Sequence, residues 1–217
     1  MKFIDPLLLN YCENHSSAEP QILTTISRQT HLTQINPRML SGHLQGRFLK
    51  LITQLIGPKN VLEIGTYTGY SAICMAEAMT EKTTVHTIEV NEELEPVILA
   101  NINKAGCSGK IRLHIGNALK IIPQLLESTG FDMVFIDADK ENYPAYFNLL
   151  KNELKPGAII IADNVLWSGK VLDKTERRAD PETKAIHEFN EILATDTSFE
   201  KVMLPIRDGI TIARKIS

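Results

Sequence analysis

From about residue 60 onward, short β-rich runs alternate with helical stretches of 10–20 residues, and this alternation restricts the fold most strongly. The runs are VLEI (61–64), TVHTIE (84–89), IRLHIG (111–116), DMVFID (132–137) and AIIIAD (158–163). Between them lie YSAICMAEAM, EELEPVILANINKAG, ALKIIPQLLE and NYPAYFNLLKNEL, with Gly or Pro at several joins, as in Lys155-Pro156-Gly157. Strand alternating with helix predicts a parallel sheet covered by helices on both faces. After a helix over 181–194, FEKVMLPI and GITIARKI flank Arg207-Asp208-Gly209. That pattern predicts an antiparallel hairpin at one sheet edge.

The first 57 residues lack strand-like runs. PLLLNYCENH, PQILTTISRQTH and HLQGRFLKLITQLI read as helices, the last with an apolar stripe at Leu44, Phe48, Leu51, Leu55 and Ile56. The expectation is a single α/β domain over 1–217, with a helical cover (1–57) on a Rossmann-like core (58–217). Hydrophobic residues at 43% and charged residues at 23% fit a globular enzyme and exclude disorder. Apolar runs such as GAIIIA are too short to cross a bilayer, and MKFIDPLLLNY places an acid and a proline where a signal peptide needs its apolar centre. The expected compartment is cytoplasmic, without membrane partners. Cys12, Cys74 and Cys107 are odd in number and widely spaced, which points to reduced, buried thiols rather than zinc or redox chemistry.

Ligands of open α/β sheets bind beyond the carboxyl ends of the strands. The first such end reads Glu63-Ile64-Gly65-Thr66-Tyr67-Thr68-Gly69-Tyr70-Ser71. Gly65 lets backbone approach a ligand, and Gly69 opens a helix whose amides and Ser71 hydroxyl suit an anion. The G-x-G-x-x-G spacing of pyrophosphate binders is absent, so a smaller anion such as a carboxylate fits better. Glu89 ends the second run, placed to accept two ribose hydroxyls. A nucleoside with an amino-acid tail, S-adenosylmethionine, satisfies both.

The fourth and fifth runs end in Asp137 and in Asp163-Asn164. Two apolar strands that each deliver an acid need a neutralising charge. Two carboxylates and an amide oxygen suit Mg²⁺, with Mn²⁺ or Ca²⁺ as alternatives, and the lack of His or Cys disfavours zinc. The bland alternative is that these acids cap turns and helices. Lys140 follows Asp137 by three residues and is the candidate base, and Trp167 is the candidate wall for an aromatic substrate. His86 and His114 read as packed strand residues.

LEIGTYTGYS, IIPQLL, FIDADKENY, ADNVLWSG and LPIRDGITIARK, in that order, resemble the cation-dependent class I O-methyltransferases over roughly Met39 to Ile216. The resemblance implies a seven-stranded sheet and a cofactor surface of Met39, Ser41, Glu63, Gly65, Thr66, Tyr67, Ser71, Glu89, Val90, Asn117, Ala118 and Asp137. It further implies a metal held by Asp137, Asp163 and Asn164, catalysis by Lys140 with Asp137, substrate contacts from Trp167 and Lys140, and a homodimer. The acceptor it implies is a small vicinal diphenol, of the catechol or caffeoyl-CoA kind. Asn117 departs from the usual Asp, Gln45 from a usual Glu, and Arg207 from a small residue.

The alternative acceptor is hydroxyuridine at the tRNA wobble position. A net charge of −3 argues against nucleic acid, whereas Arg28, Arg38, Arg47, Arg177 and Arg178 could supply a local patch. A nucleotide-dependent oxidoreductase or an inactive binding module is the third class.

Overall fold

Asp5 opens the chain's first helix by accepting the Leu7 amide at 2.7 Å ahead of Pro6, whose fixed φ suits a first helical position. The computed structural model describes residues 5–217; Met1–Ile4, part of the stretch weighed above against a signal peptide, lies outside them. By backbone proximity the chain divides into two compact units, residues 5–118 and 119–217.

The first unit runs α1 (Pro6–Asn14), α2 (Gln21–Thr33), α3 (Gly42–Ile56), β1 (Asn60–Ile64), α4 (Tyr70–Ala76), β2 (Thr84–Glu89), α5 (Glu95–Lys104) and β3 (Ile111–Ile115). β1 and β2 pair in parallel with Val61 beside Val85, and β2 and β3 pair in parallel with Val85 beside Ile111. Near-continuous burial along β1 and β2 is what a parallel sheet covered on both faces requires.

The second unit contains α6 (Ala118–Ser128), which starts at the boundary, then β4 (Met133–Ile136), α7 (Tyr143–Leu150), β5 (Ile159–Asp163), α8 (Glu176–Ala179), α9 (Pro181–Thr195), β6 (Phe199–Leu204) and β7 (Ile210–Lys215). β4 and β5 are parallel, while β7 runs antiparallel to both β5 and β6. The fold class is the expected one, a seven-stranded and mostly parallel sheet with an antiparallel edge hairpin. Among the described residues no helix is long and apolar enough to cross a membrane.

Two expectations change. The stripe on α3 does not form its buried face: Leu51 is 57% and Leu55 74% exposed. The buried residues are Gln45, Gly46, Arg47, Leu49 and Thr53. Gly46 explains the choice, because a Cβ there would stand 2.8 Å from both Cys74 Sγ and Tyr70 Cε1, closer than real contacts allow. Two polar side chains on that face have partners: Arg47 donates to Glu77 at 3.1 Å and Thr53 to the Leu49 carbonyl at 2.7 Å. Secondly, Cys12 is exposed, and only Cys74 and Cys107 are buried; burial raises the Cys74 thiol to about 12.

His86 and His114 stack with ring centroids 5.3 Å apart and Nδ1 to Nε2 at 3.1 Å. Burial, then the neighbouring His114 and Arg112, lowers His86 from 6.5 to about 4. The folded state therefore resists a proton that the unfolded chain accepts below its own value. Stability is full above pH 6.5 and falls toward pH 4, by about 2–3 kcal/mol. Denaturant titrations across that window should show the slope in the parent chain and lose most of it in His86→Gln. Equal slopes in both would refute the assignment.

Candidate active site

In the first unit the turn after β1 is built around a carboxylate. Glu89, 7% exposed, accepts the Tyr67 amide at 2.8 Å through Oε2 and the Asn91 amide at 2.9 Å through Oε1. One side chain thus clamps the loops that follow β1 and β2. Gly65 at φ 99°, Tyr67 at φ 53° and Gly69 at φ 85° turn the loop sharply, and Gly69 donates to the Thr66 carbonyl at 2.9 Å. Beneath it, fully buried Glu63 accepts from Thr87 at 2.5 Å, and Thr87 meets the Thr66 hydroxyl at 2.5 Å. Thr68 is held by Thr30 at 3.0 Å and through its carbonyl by Asn101 at 3.0 Å.

The expected cofactor residues Glu63, Gly65, Thr66, Tyr67 and Glu89 are thus one bonded assembly. Ser71 and Ser41 are buried nearby in sequence, at the starts of α4 and α3, and Ala118 is buried at the start of α6. Met39 and Val90 are 58% and 71% exposed, and Asn117 is also exposed. Each carboxylate oxygen of Glu89 has a second lone pair, so both can also receive ribose hydroxyls. Replacing Glu89 by Gln presents an NH₂ to one of the two amides. The expected cost is about 1–3 kcal/mol, read as a lower denaturation midpoint at unchanged m-value. An unaltered midpoint would refute the clamp.

In the second unit the ends of β4 and β5 meet at one phenol. Tyr143, fully buried at the start of α7, offers its hydroxyl to the carbonyls of Ile136 at 3.2 Å and Asp163 at 3.1 Å. The same oxygen accepts from Lys140 Nζ at 2.7 Å, and Lys140 also donates to Asp137 Oδ1 at 3.0 Å. Burial, then Asp137 and Asp163, pushes the Tyr143 phenol far above its ordinary value, so it remains a neutral hydroxyl. Sequence reading missed this residue. Its three-residue spacing from Lys140 was visible, and the two carbonyls were not. The Asp139 carboxylate is taken up by the Tyr146 hydroxyl at 2.5 Å and the Asn142 side-chain amide.

Asp163 is 2% exposed, and its Oδ1 accepts the amide of Asn164, which sits at φ 58°. Trp167 and Ser168 are also left-handed, at φ 47° and 54°. Such positions cost about 1–3 kcal/mol each and need outside support. The turn before β7 supplies it: Asp208 accepts the Ser168 amide at 2.6 Å through its side chain and the Leu166 amide at 2.9 Å through its carbonyl. Gly209 lies so close that a Cβ would stand 2.9 Å from the Leu166 nitrogen. Asn190 on α9 holds the Val165 carbonyl at 2.8 Å. The Trp167 indole lies 6.0 Å from Lys140 Nζ, and its buried Nε1 has no hydrogen-bond partner.

Two carboxylates and an amide carbonyl on adjacent strand tips are a hard-oxygen set. Among the described residues no three His, Cys, Asp or Glu gather as a metal cluster. The third oxygen here belongs to an amide, which suits Mg²⁺ or Ca²⁺ chemistry rather than zinc.

A family model described as O-methyltransferase matches residues 13–216. A catechol O-methyltransferase of Niastella koreensis is 39% identical over 176 residues, spanning 78% of this chain and 79% of its own. A caffeoyl-CoA O-methyltransferase of Zinnia elegans is 36% identical over 207 residues, spanning 92% and 84% respectively. Among solved structures, an O-methyltransferase from Bacillus cereus in complex with SAH matches with a TM-score of 0.88 at 31% identity, covering 95% of this chain and 96% of that one.

Proposed function

This chain belongs to the O-methyltransferase family and is an S-adenosylmethionine-dependent O-methyltransferase, and from that premise we propose that it methylates a small vicinal diphenol with the help of a divalent cation. The observation that carries the proposal is the Tyr143 hydroxyl, which bonds the Ile136 and Asp163 carbonyls and so ties together the ends of β4 and β5, the strands after which Asp137 and Asn164 follow. The names of the relatives, catechol and caffeoyl-CoA O-methyltransferases, support the acceptor class.

A phenol with a pKa near ~10 is a poor nucleophile at neutral pH. A divalent cation, when bound by Asp137, Asp163 and Asn164, would supply the positive charge that eases loss of the phenolic proton. Lys140 would take that proton. It would do so as the neutral amine, whose two N–H bonds go to Tyr143 and Asp137 and leave the lone pair as the accepting position. Trp167 would flank the aromatic ring. Glu89 and the loop it clamps would hold the methyl donor, and fixed positioning of donor and acceptor would lower much of the remaining barrier. Leu51 and Leu55 on α3, with Leu7 and Leu8 on α1, are exposed apolar surface that a second copy would cover, and a homodimer is part of the reading.

The test is methyl transfer to a panel of vicinal diphenols, with Mg²⁺ and with chelator. Turnover is expected to be lost in chelator, and in Lys140→Ala kcat should fall about a hundredfold with donor affinity kept. Turnover that ignores chelator would overturn the metal role. An unchanged kcat in Lys140→Ala would overturn the base.

A further inference from the structure

We propose that Lys174, Arg177, Arg178 and His187 form an oxyanion pocket that receives the phosphoryl group of a small molecule. These four residues line an open cavity of about 360 Å³ on the second unit, beside α8 and α9. Among the described residues no acid contributes to its lining. That volume admits a phosphoryl group with part of its carrier.

The donors are arranged for an acceptor that the protein itself does not provide. Arg177 Nη1 stands 2.6 Å from His187 Nε2. A guanidinium can only donate, so His187 Nε2 accepts there. Arg177 Nε is buried without a hydrogen-bond partner, so one donor of the guanidinium is left for an acceptor from outside the protein. The planar fork of arginine matches two oxygens of a phosphoryl group at once.

The nearby acids are already engaged elsewhere. Asp180 takes Lys170 at 3.1 Å and Thr183 at 2.6 Å, and Asp173 takes the Thr175 amide at 2.7 Å while also attracting Arg177 from beyond ion-pair distance. Among the described residues, no carboxylate lies within ion-pair distance of Lys174, Arg177 or Arg178. The same acids, with Glu176 and Glu182, disfavour a long polyanion, which needs a track of cations rather than one cavity. Arg47, grouped with Arg177 and Arg178 in the sequence, is 8% exposed and held by Glu77, so it offers nothing to a phosphate backbone.

Calorimetric titration of the full chain with inorganic pyrophosphate, without methyl donor or metal, tests the pocket independently of the methyl-transfer reading. Saturable binding is expected, weakened about tenfold or more in Arg177→Lys, which keeps the charge and loses the fork, and in Arg178→Ala, whose side chain is exposed. Lys184→Ala, an exposed cation of α9 outside the lining, should bind as the parent does. Absence of binding, or equal weakening in all three variants, would overturn the proposal. So would tRNA binding that is lost in the two arginine variants while pyrophosphate fails to bind.

Discussion

Asp163→Ala is expected to reduce methyl transfer by about a thousandfold and to leave the residual rate insensitive to chelator. Asp163 is 2% exposed at the end of β5, where an apolar strand delivers a charge into a site with Lys140 and Asp137. Its side chain has two functions. One oxygen accepts the Asn164 amide at 2.8 Å and so fixes the left-handed turn. In the proposed chemistry the carboxylate also supplies negative charge to the cation. Asp163→Asn separates the two, since an amide oxygen can still receive the Asn164 N–H while the charge is gone. Both variants should bind S-adenosylmethionine nearly as the parent does, because the clamped loop belongs to residues 63–91. An Asp163→Ala enzyme that is active and indifferent to chelator would sink the metal assignment.

Tyr143→Phe should cost about 1–3 kcal/mol of stability and lower kcat about tenfold to a hundredfold, with little change in donor affinity. The loss removes one buried hydroxyl from three partners, the Ile136 and Asp163 carbonyls and Lys140 Nζ. Tyr143 acts through its neighbours. A purely structural hydroxyl would lower the melting temperature and leave kcat alone at temperatures where the variant is folded. That outcome would deny it a positioning role.

The parts of the fold that were legible in the sequence are those with short-range causes. Alternation of strand and helix follows from local pattern, the hairpin from Arg207-Asp208-Gly209, and the sharp turn after β1 from its glycines. The acids at 137 and 163 stood out because charge at the end of an apolar strand is locally anomalous. Tyr143 did not stand out, because its importance depends on the parallel register that aligns Ile136 with Ala162 and brings the Asp163 carbonyl to the same hydroxyl. The buried face of α3 was hidden likewise. Gly46 reads as a weak helix residue until Tyr70 and Cys74 are packed against it. Arg47 looked like a phosphate-binding cation and proved to be a partner of Glu77 at 3.1 Å. Left-handed Trp167 and Ser168 have no local signature, since neither residue type favours that conformation.

The bond between the Ser168 amide and Asp208 joins residues 40 positions apart. The pairing of β4 with β5 spans less of the chain than this bond does, whereas the loop beyond β5 gains its support only together with the β5–β7 ladder. An immature chain would carry the strand tips of the site but not the fixed loop. Closure of that loop, a non-local event, would be among the late steps. Activity should therefore appear after most secondary structure when the chain refolds.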